Sequence, residues 1–298
     1  MNSPTAIPLD AAPAPSLRAY WELLKPRVTL LVVLTTLATG YMAAVQTPSW
    51  AWYGALALGT ALLAGGTAAL NQRWERESDA RMRRTAGRPL PTRRVTPQSA
   101  EWFGLALALL GLAILWRELN ALTALLGLMT SVLYLLAYTP LKKRSPLSTL
   151  VGAFPGAGPV LMGWAAAAGH LSGVAWALFT LQFLWQFPHF LAIAWLYRED
   201  YERAGICMLP VVDLEARETG LQMLLYTLAL IPVSLLPSIL GLDGRYYFWL
   251  ALALGCGLLA IAARAAWRRS RAASRALLRA SVIYLPLIFL AMIVDKWR

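Results

Sequence analysis

The chain has 298 residues, of which 58% are apolar and 14% are charged. Soluble domains carry roughly 25% charge, so this composition excludes an ordinary soluble enzyme and predicts a polytopic membrane protein. The net charge of +12 would suit nucleic acid or a membrane surface, and the placement of the charges separates the two. In chain order, residues 1–15 (MNSPTAIPLDAAPAP) are rich in Pro and Ala and predict a disordered tail, without the basic start and short apolar core of a cleaved signal. Residues 16–298 then predict a single all-helical domain. SLRAYWELLKPR opens it as a short amphipathic helix at the membrane interface.

Uncharged or nearly uncharged runs of spanning length follow near 27–47, 50–70, 102–116, 119–139, 147–169, 172–196, 219–241, 246–263 and 280–294. These predict nine transmembrane helices, the third being the shortest. If they alternate, the N-terminal tail and loops 71–99, 140–146, 197–218 and 264–279 share one side. That side holds 23 of the 27 Lys and Arg; the other has only Arg117, Arg245, Lys296 and Arg298. The basic side is therefore cytoplasmic and the C-terminus periplasmic, as in a bacterial inner membrane. The positive charge is a topology signal, and no nucleic-acid partner is expected. Cys207 and Cys256 form no disulfide framework and no metal-ligand spacing; Cys256, inside a span, reads as a small packing residue.

Past the second apolar run comes NQRWERESDARMRRTAGRPLP, residues 71–91. Asn71, Glu75 and Asp79 fall at i, i+4 and i+8 and drift only about 40° per step on a helix. An amide and two carboxylates on one face make a hard-oxygen array suited to Mg²⁺ and substrate phosphate. Arg73, Arg76, Arg81, Arg83, Arg84 and Arg88 add guanidinium groups that pair with phosphate oxygens. The plainer reading is a solvated helix end carrying inside-positive charge.

In TLQFLWQFPHFLAIAWLYREDYERAG, residues 180–205, Gln182, Gln186, His189, Tyr197 and Asp200 predict a polar stripe along one side of a helix. Ionisable groups at membrane depth face a bundle interior or cavity and are functional candidates, although Gln and His also fasten helices together. Lys142, Lys143 and Arg144 suit either topology or a diphosphate cap. Tyr134 and Tyr138 suit either a cavity wall or an interfacial aromatic belt.

These segments resemble the UbiA-type intramembrane prenyltransferases. The similarity lies in LLKPRVTLL (23–31), DARMRRTAGRPLP (79–91), YTPLKKRSP (138–146), Gly163–Trp164, WQFPHF (185–190), YREDY (197–201) and AGICMLP (204–210). Within that family the closer resemblance is to the protoheme IX farnesyltransferase branch, the heme O synthases. The resemblance implies a nine-helix bundle whose central cavity opens to the cytoplasmic side. It implies Mg²⁺ bound with the diphosphate by Asn71, Glu75, Asp79 and Asp200, with Tyr197 and Tyr201 also catalytic. Arg84, Arg88, Lys143, Arg144 and Arg198 would hold the diphosphate, and His189, Gln186 and Trp185 the heme. The implied partners are farnesyl diphosphate and heme b as substrates, membrane lipid, and a heme A synthase or terminal oxidase receiving the product.

Three positions depart from the pattern. Glu75 stands where many relatives have Asp, and Cys207 where Pro is common. YREDY supplies one aligned carboxylate, Asp200, in place of an Asp-x-x-x-Asp pair. Another acceptor (a quinone precursor or a chlorophyll-type ring) is the alternative within the same chemistry. A transporter of an anionic substrate is the alternative outside it. Inverted repeats with helices broken at mid-membrane would mark a transporter; acidic motifs at helix ends on one side suit an enzyme.

Overall fold

The computed structural model describes residues 16–296, so the tail 1–15 and Arg298 lie outside the described residues. Every regular element among the described residues is helical. A short helix α1 (Leu17–Leu23) leads into α2 (Pro26–Ala43) and the 32-residue α3 (Trp50–Arg81). The third span is α4 (Pro97–Ile114) continued by a π-helical turn, Leu115–Leu119. The fourth joins α5 (Ala121–Val132), a second π-helical turn (Leu133–Tyr138) and α6 (Thr139–Leu141). Then come α7 (Ser148–Ala168), α8 (Gly173–Leu196), the short α9 (Arg198–Arg203) and α10 (Leu209–Val212), and α11 (Arg217–Ile239), α12 (Arg245–Arg268) and α13 (Arg271–Asp295). Nine helical spans among the described residues are long and apolar enough to cross a membrane.

The spans match the apolar runs in number and order, and differ at their ends for local reasons. The third begins at Pro97, where Thr96 caps the helix by accepting from the Ser99 amide at 3.1 Å. It is 23 residues long and not short, because charged Arg117 and Glu118 sit within the π turn. The basic stretch 264–279 is helical apart from a corner at Arg269–Ser270, where Arg269 has φ 43° and Ser270 caps α13. Helix α1 is docked on the protein: Ala19 and Leu23 are fully buried against Ala69, Leu90, Val95 and Ala100. Its outer face leaves Leu17 and Trp21 exposed. Cys256 is exposed on α12, which corrects its reading as a packing residue.

Because lipid is as apolar as Leu, helices in a bilayer associate through close backbone approach rather than hydrophobic burial. Glycines supply that approach here. On α3 and α4, a Cβ on Gly66 would stand 2.5 Å from the Gly104 carbonyl oxygen. On α7, a Cβ on Gly163 would fall on the Thr36 carbonyl and the Thr39 hydroxyl of α2. Gly163→Ala is therefore expected to destabilise the α2–α7 pair by about 1–3 kcal/mol, the usual cost of overpacking. Gly173→Ala, where nothing lies within 4 Å, should leave thermal unfolding in detergent unchanged. Equal melting of the two variants would overturn this account of the interface.

Candidate active site

Helix α3 continues about three turns past its apolar run, which is what places the acidic motif on a helix. Asn71, Glu75 and Asp79 are buried at 0%, 9% and 1% exposure, while Trp74, Arg76, Glu77 and Arg81 of the same turns are exposed. The three inward residues each meet a cation. Lys25 Nζ donates to Asn71 Oδ1 at 2.9 Å, and Tyr134 Oη donates to the same oxygen at 3.3 Å. Glu75 pairs with Lys142. Asp79 Oδ2 accepts from Arg88 Nη1 at 2.7 Å, and Asp79 Oδ1 is buried without a partner. The loop after α3 folds back through Thr85, whose hydroxyl donates to the Asp79 carbonyl at 2.8 Å.

Sequence reasoning missed Lys25. It sits at the corner between α1 and α2 with φ 48°, a left-handed conformation that costs a lysine on the order of 1–3 kcal/mol. The corner aims its side chain at Asn71. Burial, then the neighbouring Arg88, lower its pKa to about 8. From the basic run 142–144, sequence reasoning singled out the two residues that do not turn inward. Lys143 and Arg144 are exposed, whereas Lys142 turns inward, 4.6 Å from the Tyr138 ring centroid. The cause is periodicity: Lys142 follows Tyr138 by one turn and shares its face, and its two successors rotate away. Burial opposes the Lys142 ammonium, but Tyr138 and Glu75 hold its pKa above the usual lysine range. The four-residue Tyr138–Lys142 spacing was the available signal.

The second polar segment is not one continuous stripe. Helix α8 ends at Leu196, Tyr197 leaves helical geometry with φ −114° and ψ 23°, and α9 restarts at Arg198. Asp200 therefore does not extend the face of Gln182 and His189. It is buried, and its carboxylate pairs with Arg203 on its own helix rather than with any residue of the first motif. Among the described residues, no three Asp, Glu, His or Cys side chains gather as a metal-binding group. Tyr201 does join the two segments: Arg84 Nη2 donates to its hydroxyl at 2.6 Å, and the guanidinium lies 4.8 Å from the Tyr201 ring and 5.2 Å from the Tyr197 ring. The Cys207 amide donates to the Lys142 carbonyl at 2.7 Å. Loops after α3, α6 and α9 thus close on one another at one end of the bundle. Arg198 lies over Trp195, 5.1 Å from its ring centroid.

Farther along α8, Trp185 and His189 are stacked at 4.7 Å and both reach α13. The indole Nε1 donates to the Ser281 carbonyl at 2.8 Å, and His189 Nδ1 lies 2.9 Å from the Ser281 hydroxyl. That hydroxyl donates its proton to the Leu278 carbonyl at 2.8 Å. His189 Nδ1 must then be the donor, which leaves Nε2 as the acceptor nitrogen. Gln186 Nε2 donates to the Ala153 carbonyl at 2.9 Å and its Oε1 packs against Gly156. It fastens α7 to α8.

The donor set suits a hard divalent cation. Two buried carboxylates and an amide oxygen lie on one face, and one carboxylate oxygen lacks any partner. The surrounding cations suit a polyanion. A family model described as the UbiA prenyltransferase family matches residues 32–292.

The chain belongs to the UbiA prenyltransferase family. It is 47% identical over 289 residues to a protoheme IX farnesyltransferase of Solibacter usitatus, covering 94% of this chain and 99% of that one. A protein of the same name from Koribacter versatilis is 46% identical over 307 residues, covering 99% and 98% of the two chains. Among solved structures, digeranylgeranylglyceryl phosphate synthase superposes with a TM-score of 0.79 at 16% identity, covering 94% of this chain and 98% of that one. An Archaeoglobus fulgidus UbiA homologue bound to GPP and Mg²⁺ superposes at 0.68 with 15% identity, covering 93% and 99%. At these identities the structures share the fold of this UbiA family member.

Proposed function

We propose that this UbiA family member transfers farnesyl from farnesyl diphosphate to a vinyl group of protoheme IX (heme b), giving heme O and diphosphate. The observation that carries the reading is the 47% identity, over nearly all of both chains, to a protein named for that reaction. The acceptor and the prenyl length rest on that likeness. The leaving-group chemistry also rests on the geometry of α3.

Asn71, Glu75 and Asp79 would hold Mg²⁺ together with the substrate diphosphate. When bound, the ion supplies Lewis-acid stabilisation of the departing diphosphate. Lys25, Lys142 and Arg88 now neutralise those oxygens and would turn to the diphosphate, with Arg84 at the mouth. Cleavage of the allylic C–O bond places an electron pair on the leaving oxygen, and preorganised cations stabilise that charge without reorganising. The farnesyl carbon is then attacked by the vinyl π pair. Water adds to the cation left beside the porphyrin ring and loses a proton, completing the hydroxyethylfarnesyl group. The surrounding apolar helices exclude bulk water until the carbon–carbon bond has formed. Asp200, paired with Arg203, and Tyr197 and Tyr201, held by Arg84, would line the second wall of a chamber open to the cytoplasmic side. Trp185 and His189, anchored on Ser281, would meet the heme, with His189 Nε2 presented as an acceptor to iron. The concentration of Lys and Arg on this side supports a site facing the cytoplasm from a bacterial inner membrane, and the heme product would pass to a heme A synthase or terminal oxidase.

Mass spectrometry of heme extracted from membranes made with and without the protein tests the reading. A heme species carrying an added hydroxyethylfarnesyl group should appear only with the protein. An unmodified heme pool alongside a newly prenylated quinone precursor or chlorophyll-type ring would overturn the choice of acceptor.

A further inference from the structure

Asn71 is useful to a cation through only one of its two terminal atoms. Its amide oxygen can coordinate; its NH₂ group would repel. Which atom is left free of the neighbouring helix is therefore a question of rotamer, and a buried neighbour settles it. Asn71 Nδ2 donates to the Thr139 hydroxyl at 3.1 Å, and that hydroxyl donates to the Tyr134 carbonyl at 2.8 Å. A threonine hydroxyl has one proton. Because that proton is committed to Tyr134, Thr139 Oγ1 can only accept from Asn71, which forces the NH₂ toward α6. The oxygen is left on the opposite side, where Lys25 Nζ and Tyr134 Oη donate to it.

The π-helical turn Leu133–Tyr138 makes this arrangement possible. The Tyr134 carbonyl accepts from the Thr139 backbone amide five residues on, and from the Thr139 hydroxyl as well. The same turn brings the Tyr134 hydroxyl to Asn71. Thr139 is 6% exposed and Asn71 is fully buried, so water does not compete for these bonds.

We propose that Thr139 is a positioning residue that fixes the Asn71 amide with its oxygen turned away from α6, and so sets the affinity of the Asn71–Glu75–Asp79 face for a divalent cation. The inference rests on the reading of Asn71, Glu75 and Asp79 as the cation-holding set. Outer-shell hydrogen bonds of this kind are worth about 10- to 100-fold in metal affinity.

The test uses the purified full chain in detergent, with Mn²⁺ binding followed by electron paramagnetic resonance in the presence of inorganic diphosphate. Thr139→Val removes the acceptor at nearly constant shape and should weaken Mn²⁺ binding roughly 10-fold or more. Thr139→Ser keeps the hydroxyl and should bind Mn²⁺ as the parent does. In turnover, the Val variant should need a correspondingly higher Mg²⁺ concentration for half-maximal rate, with the KM for farnesyl diphosphate unchanged at saturating Mg²⁺. If Thr139→Val fails to fold, Thr139→Ala serves in its place. Parent-like Mn²⁺ affinity in the variant lacking the hydroxyl, or equal weakening in the Ser variant, would overturn the proposal. Asp79→Asn run in parallel separates the two levels. Lost Mn²⁺ binding there with retained binding in Thr139→Val sinks the positioning role alone, and retained binding in both sinks the metal face itself.

Discussion

Asp79→Asn is expected to lower turnover by about 10³-fold while the protein remains inserted and folded. The carboxylate is 1% exposed, one oxygen pairs with Arg88 at 2.7 Å, and the other has no partner. Asparagine keeps the volume but removes the charge, so it weakens the cation-binding face. It also leaves Arg88 without its carboxylate, beside Lys25 and Lys142. Fluorescence-detected size exclusion should report an unchanged profile, and single-turnover measurements across a Mg²⁺ titration should locate the loss in the chemical step. Mg²⁺-dependent activity within threefold of the parent would remove Asp79 from the site.

Lys142→Met should cost on the order of 10² in rate, the size seen when one preorganised donor is lost, whereas Lys143→Met should stay within about twofold. The two lysines are neighbours in sequence with the same charge, and only their burial distinguishes them. Lys142 pairs with Glu75 and lies over Tyr138, while Lys143 is exposed. Steady-state kinetics at saturating Mg²⁺ decide the matter. A greater loss in the Lys143 variant would place the diphosphate outside this cluster.

The nine spans and the helical acidic motif were legible in the sequence because they are local. A run of about twenty apolar residues announces a span whatever lies next to it. Asn71, Glu75 and Asp79 share a face by helical period alone. The same rule predicted too much in the second segment, where Tyr197 breaks the helix and turns Asp200 away from the face of His189. A backbone break at a tyrosine carries no signal of the Gly or Pro kind. Gln186, read as a heme contact, shows the other limit. Its amide donates to the Ala153 carbonyl of α7, a choice made by which helix lies alongside.

Length, hydropathy and charge placement determined on their own that this chain is an all-helical membrane protein of nine spans. Tertiary structure alone decided which cation meets which carboxylate: Lys25 on Asn71, Lys142 on Glu75 and Arg88 on Asp79. It also decided that the Asn71 amide donates to the Thr139 hydroxyl. Periodicity specifies the face of one helix; pairings between helices depend on close backbone approach at glycines such as Gly66 and Gly163, which brings distant segments within reach of a hydrogen bond.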